Sequence, residues 1–433
     1  DLDGTRVILD SGMHPKEEGM ACIPDFDQVP VDSTDAIIVT HAHLDHVGSL
    51  PVLMREQPSA DVFMTGGTAA LADAMLHNSV NVMTSQRMEL GITEYPFFTH
   101  RELDRLKPDW IQRPVGRRFD VGRGNVTAEF YDAGHILGSA GVMLDTGDTT
   151  IFYTGDVNFE DQTLTKAAEF PEADVDVLIL ETTRGSVPRA PGYTRADEEN
   201  RLAAAIDDAL TRGGSVLVPV FAIGKTQEVL LMLDRFKREH LISGKAPVYI
   251  GGLSTKMTHI FDKFASKTRR NHPGLQILKD IEIQLSPRRQ RKEINYSPGS
   301  IYALSSGMMT EKTVSNGFAF QFLDNPLNSL LFVGYADPAS PAGKIRAAEK
   351  GDSIILDPDR RAIDLNCTVD VFDFSGHAPR QHLRDFANKL SPKKIILVHG
   401  DPDALDWFKD TLSEDLPDTE IVIPVPGTQV PLT

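Results

Sequence analysis

The stretch from His41 to His46 constrains this chain more than any other. Three imidazoles and one carboxylate fall within its six residues, directly after the apolar run 36–39. The run predicts a strand, and His41 and His43 alternate as strand residues do, so that both can face one ion. Asp45 and His46 begin the following turn and can face a second ion. The stretch therefore predicts a metal site, and distant parts of the chain must supply the missing ligands.

Composition places the chain among soluble globular proteins of more than one domain. It has 433 residues, of which 41% are hydrophobic and 24% charged. No apolar run approaches the ~18 residues of a membrane span, and no signal peptide is expected. Only Cys22 and Cys367 are present. Two cysteines are too few for a disulfide framework, so we expect a reducing, cytoplasmic setting without membrane attachment.

The net charge of −18 by itself argues against non-specific attraction to nucleic acid or to anionic membranes. Its distribution is uneven, because the window 255–295 holds ten basic and four acidic residues. Two interpretations stay open. The window is either a solvated basic face or a patch that follows the phosphates of a polyanion.

Several apolar runs end in residues that could carry chemistry. They lead into His135, Asp156, Glu181 and His399, as expected where a sheet presents a site along one edge. Between Thr194 and Tyr335, strand and helix patterns alternate, which predicts an inserted α/β domain with a parallel sheet. The predicted domains are 1–182, 183–352 and 353–433, with the first and third forming one metal-binding domain around the insertion.

These residues complete the inventory of a two-metal hydrolase, which needs about six to eight nitrogen and oxygen ligands. His41, His43 and His135 can hold one ion. Asp45, His46 and His399 can hold the other, and Asp156 can bridge the two. The many imidazoles and the absence of a cysteine ligand favour two zinc ions over magnesium.

The ordered motifs resemble a known family. Asp10, the stretch His41–His46, Gly134-His135 and Thr154-Gly155-Asp156 are similar to the four motifs of the metallo-β-lactamase superfamily. Three further motifs resemble its β-CASP branch, namely Glu181, Ser375-Gly376-His377-Ala378 and Val398-His399-Gly400. That branch includes the endonuclease subunit of the cleavage and polyadenylation factor, archaeal and bacterial homologues, and ribonuclease J. The resemblance implies an α/β fold, a metallo-β-lactamase αββα sandwich with an inserted α/β β-CASP domain.

The resemblance also implies roles for individual residues. Asp10 would steady the metal loop, Asp45 would be catalytic as well as a ligand, and Glu181 with His377 would assist departure of the leaving group. Lys225 would contact phosphate. The turn Ser305-Ser306-Gly307 resembles the family's phosphate-contacting turn. The implied function is zinc-dependent hydrolysis of RNA phosphodiester bonds by a two-metal hydroxide mechanism, in RNA processing or decay.

The chain departs from the family pattern at two of these motifs. Pro379 follows Ser-Gly-His-Ala where the family commonly has Asp, and Lys225 stands where Arg is usual, which removes a two-pronged phosphate contact. Endonucleolytic and 5′-exonucleolytic action both stay open. RNA is the expected partner, together with a homodimer or an RNA-processing complex.

Two other functions are alternatives. One is a metallohydrolase acting on single-stranded DNA or on a small phosphodiester or ester. The other is an inactive partner subunit of an RNA-processing complex. His399 argues against DNA, because DNA-repair members of the branch typically carry an aliphatic residue there, and the complete ligand set argues against the inactive subunit.

Overall fold

The structure is a computed structural model that describes residues 1–122, 126–172, 174–285 and 294–432. It divides into two compact units. The first unit contains Asp1–Asp161, Ala167–Arg189 and His377–Thr433, and the second contains Gln162–Lys166 and Ala190–Gly376. No helix in the described ranges is both long enough and apolar enough to cross a membrane.

The strands are short, as expected for an α/β protein. In chain order they are β1 (Val7–Leu9), β2 (Ala36–Ile38), β3 (Asp61–Met64), β4 (Trp110–Gln112), β5 (Phe119–Val121), β6 (Val126–Asp132), β7 (Ala140–Asp145), β8 (Thr150–Tyr153), β9 (Val177–Glu181), β10 (Val216–Pro219), β11 (Val248–Ile250), β12 (Gln284–Leu285), β13 (Ile301–Leu304), β14 (Ser329–Phe332), β15 (Ser353–Ile354), β16 (Ile363–Asp364), β17 (Thr368–Val371), β18 (Lys394–Val398) and β19 (Glu420–Val422).

Helices alternate with these strands through most of the chain. They are α1 (Leu44–Val47), α2 (Leu50–Glu56), α3 (Gly66–Leu90), α4 (His100–Leu106), α5 (Arg195–Thr211), α6 (Lys225–Arg238), α7 (Leu253–Lys263), α8 (Ile277–Asp280), α9 (Val314–Ala319), α10 (Pro341–Ala347), α11 (Arg380–Leu390) and α12 (Pro402–Asp415). Short 3₁₀ turns occur at Gly19–Cys22, Phe26–Gln28 and Lys107–Asp109.

The first unit is built on two sheets. One is a four-stranded parallel sheet in the order β1-β2-β3-β4. The other has seven strands in the order β19-β18-β9-β8-β7-β6-β5. Its β5 to β8 half is antiparallel, whereas β8, β9, β18 and β19 pair in parallel. The chain therefore brings β9 and β18 side by side from distant parts of the sequence.

Apolar side chains fill two layers of the first unit. Ile38 and Phe63 from the small sheet pack with Phe130 and Val142 from the large sheet in one cluster. On the opposite face of the large sheet, a second cluster joins its side chains to helices α11 and α12. This layering of sheet on sheet, with helices outside, confirms the predicted α/β sandwich.

The second unit contains a six-stranded parallel sheet in the order β12-β11-β13-β10-β14-β17. A separate antiparallel pair joins β15 and β16. Leu217, Tyr302 and Leu330 from the sheet pack against Phe318 and Phe322. The predicted inserted α/β domain with a parallel sheet is confirmed. The compact units change at Arg189 and Gly376, and β17 belongs to the second unit because it pairs with β14. The domain boundaries at 182 and 352 stay a prediction from the sequence.

Candidate metal centre

The first ligand group consists of His41, His43, His135 and Asp156, whose ligand atoms lie within 4.8 Å of one another. His43 Nδ1 is 3.1 Å from His41 Nε2 and 3.2 Å from His135 Nε2. Asp156 Oδ2 is 3.4 Å from His41 Nε2 and 3.6 Å from His135 Nε2. Ligands about 2.0–2.1 Å from a tetrahedral zinc ion are separated by about 3.3 Å, so the spacing fits such an ion.

The second group consists of Asp45, His46 and His399. His399 Nε2 lies 3.4 Å from Asp45 Oδ2. His46 Nε2 lies 3.3 Å from Asp156 Oδ1, whereas the distances from His41 and His135 given above are to Oδ2. Asp156 thus turns one oxygen toward each group. This is the arrangement expected of a bridging carboxylate, the role that the sequence predicts for it.

Asp10 holds the loop of the second group from behind. Its Oδ1 accepts from the Thr40 backbone N–H at 2.7 Å, and its Oδ2 accepts from Thr40 Oγ1 at 2.8 Å and from Tyr153 Oη at 2.9 Å. His46 Nδ1 lies 2.7 Å from the same Oδ2. Nδ1 of His46 is therefore directed to Asp10, which leaves Nε2 as the nitrogen that faces the site.

Local backbone geometry sets this loop in place. A Cβ added to Gly12 would lie 1.7 Å from the Asp45 carbonyl oxygen, so only glycine allows the two segments to approach. Asp10 and His399 both have a positive φ, of 61° and 54°. A non-glycine residue in this region is uncommon and costs of order 1–2 kcal/mol. The surrounding hydrogen bonds must offset that cost.

The two groups differ in protonation. Burial lowers the pKa of His41 and of His43, and the neighbouring imidazoles add to the effect. Burial also acts to lower the pKa of His399, but Asp156 and the Asp45 hydrogen bond outweigh it and raise that pKa to about 9. The pKa of His46 is likewise raised well above its usual value, against burial, by Asp156 and Asp10. His41 and His43 are thus neutral imidazoles at neutral pH, whereas His46 and His399 hold protons that an ion must displace.

Two polar atoms at the centre show that these residues fit bound ions. His46 Nε2 and Asp156 Oδ1 are buried and 3.3 Å apart, yet neither makes a hydrogen bond. Buried polar atoms without partners are rare in folded proteins. Imidazole nitrogens and carboxylate oxygens are the ligands that zinc prefers, so the donor set suits a metal-binding site.

Glu181 and His377 lie beside Asp156. His377 Nδ1 is 3.2 Å from Glu181 Oε2 and 3.3 Å from Oε1, while its Nε2 is 3.9 Å from Asp156 Oδ2. Burial acts to lower the pKa of His377, but Glu181 and Asp156 raise it above its usual value. Pro379 occupies the N-cap of α11, and Ala378 N–H still donates to the Val157 carbonyl at 2.7 Å. The departure from the family pattern therefore leaves the predicted dyad together.

The predicted substrate contacts are placed less clearly. Lys225 begins α6, and its amine donates to the Phe374 carbonyl oxygen. Ser306 Oγ lies 3.1 Å from Thr310 Oγ1, and the Ser305 carbonyl accepts from Ser315 N–H, so this turn is held by its own loop. A Cβ on Gly307 would press on the Phe221 ring. Phosphate binding by these residues stays a prediction.

The basic window falls partly outside the described residues. Arg288, Arg289, Arg291 and Lys292 belong to the range 286–293 and are not described. Lys256, Lys263, Lys267 and Lys279 are exposed. Arg270 is only 4% exposed and donates to the Phe261 carbonyl oxygen at 3.0 Å. Arg270 therefore belongs to the interior and contributes to neither interpretation of the window.

Sequence reasoning missed two hydroxyl groups. Tyr153 donates to Asp10, as described above, and Thr183 lies between Glu181 and His399. Tyr153 precedes the motif Thr154-Gly155-Asp156, and Thr183 follows Glu181 by two residues. Their proximity to motifs was the available signal, but their partners follow only from the folded geometry.

Sequence comparisons agree with this geometry. The profile of the "Metallo-beta-lactamase superfamily" matches residues 1–214, that of the "Beta-Casp domain" matches 226–345, and that of the "Zn-dependent metallo-hydrolase RNA specificity domain" matches 362–424. The layered fold and the two ligand groups agree with these profiles. With the three profiles in this order, the chain belongs to the metallo-β-lactamase superfamily and, within it, to the β-CASP branch.

Relatives extend over almost the whole chain. Endoribonuclease YSH1 of Saccharomyces cerevisiae is 29% identical over 94% of this chain and 53% of its own length. Cleavage and polyadenylation specificity factor subunit 3-I of Arabidopsis thaliana is 28% identical over 97% and 60%. Transcription termination factor FttA of Methanothermobacter thermautotrophicus is 30% identical over 92% and 63%. The chain thus spans between 53% and 63% of the length of these relatives.

A solved structure supports the fold. A protein of unknown function from Enterococcus faecalis matches with a TM-score of 0.59 at 14% identity, covering 99% of this chain and 95% of its own. At this identity the likeness concerns the fold alone.

Proposed function

We propose that this chain is a zinc-dependent ribonuclease that hydrolyses RNA phosphodiester bonds. One observation carries the proposal. The Glu181–His377 pair lies beside Asp156, the carboxylate that faces both ligand groups, with His377 Nε2 3.9 Å from Asp156 Oδ2. A site for ions and a group able to transfer a proton are thus adjacent, as phosphodiester hydrolysis requires.

We assign two zinc ions to the two groups. His41, His43, His135 and Asp156 would hold one, and Asp45, His46, His399 and Asp156 the other. Bound divalent ions would neutralise charge on the phosphoryl oxygens and lower the pKa of water toward ~7. The buried carboxylates contribute here as well. Burial acts to raise the pKa of Asp156, but His399, His46 and His377 hold it well below its usual value, so Asp156 stays ionised.

His377 is the proton donor in this proposal. Glu181 lies against Nδ1, so His377 donates that hydrogen to the carboxylate and presents Nε2 to the site. Its raised pKa keeps a proton on Nε2 over more of the neutral range. That proton can pass to the departing sugar oxygen, a general-acid role worth typically ~100-fold or more. Glu181 stabilises the protonated ring before the transfer, and Val157 N–H holds its Oε1 in place at 2.8 Å.

The choice of RNA as substrate rests on the relatives and on the matched RNA specificity domain. Two of the relatives are named for RNA cleavage or polyadenylation and one for transcription termination. We propose endonucleolytic action and membership of an RNA-processing complex on the same support. A homodimer, 5′-exonucleolytic action and a cytoplasmic setting stay predictions from the sequence.

A cleavage assay tests the function. Purified zinc-loaded protein is incubated with 5′-labelled linear RNA, circular RNA of the same sequence, matching DNA and bis(p-nitrophenyl) phosphate. His43→Ala and His377→Ala are assayed in parallel. His259→Ala is the matched control, because His259 is exposed on α7 and belongs to neither ligand group.

We expect the wild type and His259→Ala to cleave both RNAs, and His43→Ala and His377→Ala to lose cleavage. Cleavage of circular RNA shows endonucleolytic action. RNA cleavage that survives both site substitutions would overturn the mechanism. Activity on DNA or on the small ester alone would favour the alternative metallohydrolase, and inactivity on every substrate would favour the partner subunit.

A further inference from the structure

The hydroxyl group of Thr183 lies between an ion ligand and the proton-donating pair. Its Oγ1 is 2.5 Å from Glu181 Oε2, 2.9 Å from His399 Nδ1 and 3.2 Å from the His399 carbonyl oxygen. The parallel pairing of β9 with β18 brings Thr183 close to His399. Glu181 lies opposite Val398, and both segments leave the sheet at the same edge. These residues all belong to the first unit.

The direction of these hydrogen bonds follows from the number of hydrogens. A threonine hydroxyl has one, and an ionised carboxylate has none. Glu181 Oε1 already accepts from Val157 N–H, and His377 Nδ1 lies within 3.3 Å of both carboxylate oxygens, so Glu181 acts as an acceptor toward its neighbours. An O–H donor 2.5–2.7 Å from a charged oxygen is the strongest of the available contacts. Thr183 therefore donates to Glu181 Oε2.

With its hydrogen committed to Glu181, Thr183 Oγ1 can only accept from His399. His399 consequently carries a hydrogen on Nδ1. Its other nitrogen, Nε2, lies 3.4 Å from Asp45 Oδ2 of the second ligand group, while Nδ1 itself lies 3.6 Å from Asp156 Oδ1. His377 Nδ1 lies 3.2 Å from the same Glu181 Oε2 that receives Thr183. Glu181 Oε2 thus lies next to His377 Nδ1 and accepts from Thr183, whose oxygen in turn accepts from His399.

We propose that Thr183 is a positioning residue that fixes His399 as an Nε2 ligand of the second ion and ties it to the Glu181–His377 pair. Hydrogen-bond partners of metal-binding histidines hold the ring and the tautomer, and their loss typically weakens metal binding about 10- to 100-fold. The part of the inference that concerns catalysis rests on the proposed ribonuclease function. The part that concerns ion affinity does not.

The neighbouring Thr182 shows that this role belongs to one position. The Thr182 hydroxyl donates to the Val398 carbonyl oxygen at 2.9 Å and so links the Thr182 side chain to the backbone of β18. Two consecutive threonines therefore have different functions. The first anchors the strand that carries His399, and the second orients the His399 ring.

Zinc affinity tests the inference without RNA. Dissociation constants are measured by competition with a chromophoric chelator for the wild type, Thr183→Val and Thr183→Ser. Thr419→Val is the control, because the Thr419 hydroxyl donates only to the Pro392 carbonyl oxygen among the described contacts. We expect Thr183→Val to weaken the second equivalent of zinc about 10- to 100-fold and the first by no more than about threefold. Thr183→Ser and Thr419→Val should stay within about threefold of the wild type.

Wild-type affinity in Thr183→Val, or an equal loss in Thr183→Ser, would overturn the inference. The wild type itself provides a second test, which does not depend on the variants folding. In its ¹⁵N spectrum, with His399 assigned through His399→Gln, the zinc-loaded protein should show hydrogen on Nδ1 and the ion on Nε2. The opposite assignment would contradict the inference.

RNA cleavage at saturating zinc tests the tie to catalysis. Thr183→Val should lower kcat about tenfold or more with KM unchanged, and Thr183→Ser should restore it. An unchanged kcat would remove the catalytic part. If the wild type cleaves no RNA, the proposed function fails, whereas the affinity result stands by itself.

Discussion

The two ligand groups of the metal centre share Asp156 but differ in their surroundings. In the first group, His41 is 0% and His135 4% exposed, and burial has lowered the pKa of His41 and His43. In the second group the side chains of Asp45 and His399 are 36% and 28% exposed, and the pKa of His399 is raised to about 9. His41 and His43 are thus ready to bind an ion, whereas His46 and His399 must release protons first.

Under the two-ion assignment proposed above, this difference gives the two ions separate tasks. A buried, neutral set of imidazoles favours tight and lasting occupancy. The second group, in which Asp45 and His399 are partly exposed and His46 is buried, adjoins Thr183 and the dyad and is the one whose occupancy solution conditions can change. We therefore expect substitutions to separate into those that remove both ions, one ion or none.

The largest effect should come from Asp156→Ala, because Asp156 faces both groups. We expect the variant to lose both equivalents of zinc and RNA cleavage to fall by about 10³-fold or more, since metal stabilisation is worth several kcal/mol. Zinc per chain is measured by mass spectrometry after dialysis, with circular dichroism to verify folding. Two retained equivalents in the folded variant would show that Asp156 is not shared.

His399→Ala should remove one ion only. The first group keeps all its ligands, so about one equivalent of zinc should remain after the same dialysis, and cleavage should fall by about 100-fold or more. His43→Ala is the matched comparison and should weaken the tighter site. If the two variants lose the same equivalent, the division into two groups is wrong.

His377→Ala should retain both ions, because His377 is in neither group. We expect kcat to fall about 100-fold, the usual contribution of a general acid, while zinc content stays at the wild-type value. A substrate with a good leaving group does not need protonation by a general acid. Hydrolysis of bis(p-nitrophenyl) phosphate should therefore fall less than RNA cleavage. Loss of zinc in this variant would instead place His377 among the ligands.

The smallest effect concerns pH. In the metal-free protein, the raised pKa of His399 contributes stability that is fully present below about pH 6.5 and is lost as the pH rises through about 9. An ion must displace this proton and the one on His46, whose pKa is also raised, so the second affinity should weaken at least about tenfold per pH unit below about 9. The first affinity should hardly change between about pH 7 and pH 8. Equal pH dependence of the two would remove the distinction.

Much of the centre could be predicted from the sequence because its signal is local. His41 to His46 stand together, and His135, Asp156, Glu181 and His399 each follow or end an apolar run that forms a strand. The structure brings these predicted residues together, along with Asp10 and His377. Periodicity likewise predicted the parallel sheet of the second unit.

What could not be predicted depends on long-range pairing. Thr183 meets His399 only because β9 and β18 become neighbours across 216 positions of sequence. The sequence shows that Lys225 is positively charged. Its hydrogen bond to the Phe374 carbonyl oxygen, 149 positions away, follows only from the fold. The sequence grouped Arg270 with the basic residues of the window 255–295, but its side chain is buried in the structure. Composition gives the charge of a side chain, and only the fold gives its neighbours.

Anomalous diffraction at the zinc edge tests whether Asp156 lies between two ions of different pH dependence. Crystals of the zinc-loaded protein are compared at about pH 6.5 and about pH 8.5. We expect two peaks about 3.5–4 Å apart, on either side of Asp156. Only the peak beside His399 should lose occupancy at the lower pH. A single peak, or two peaks that weaken together, would contradict the account.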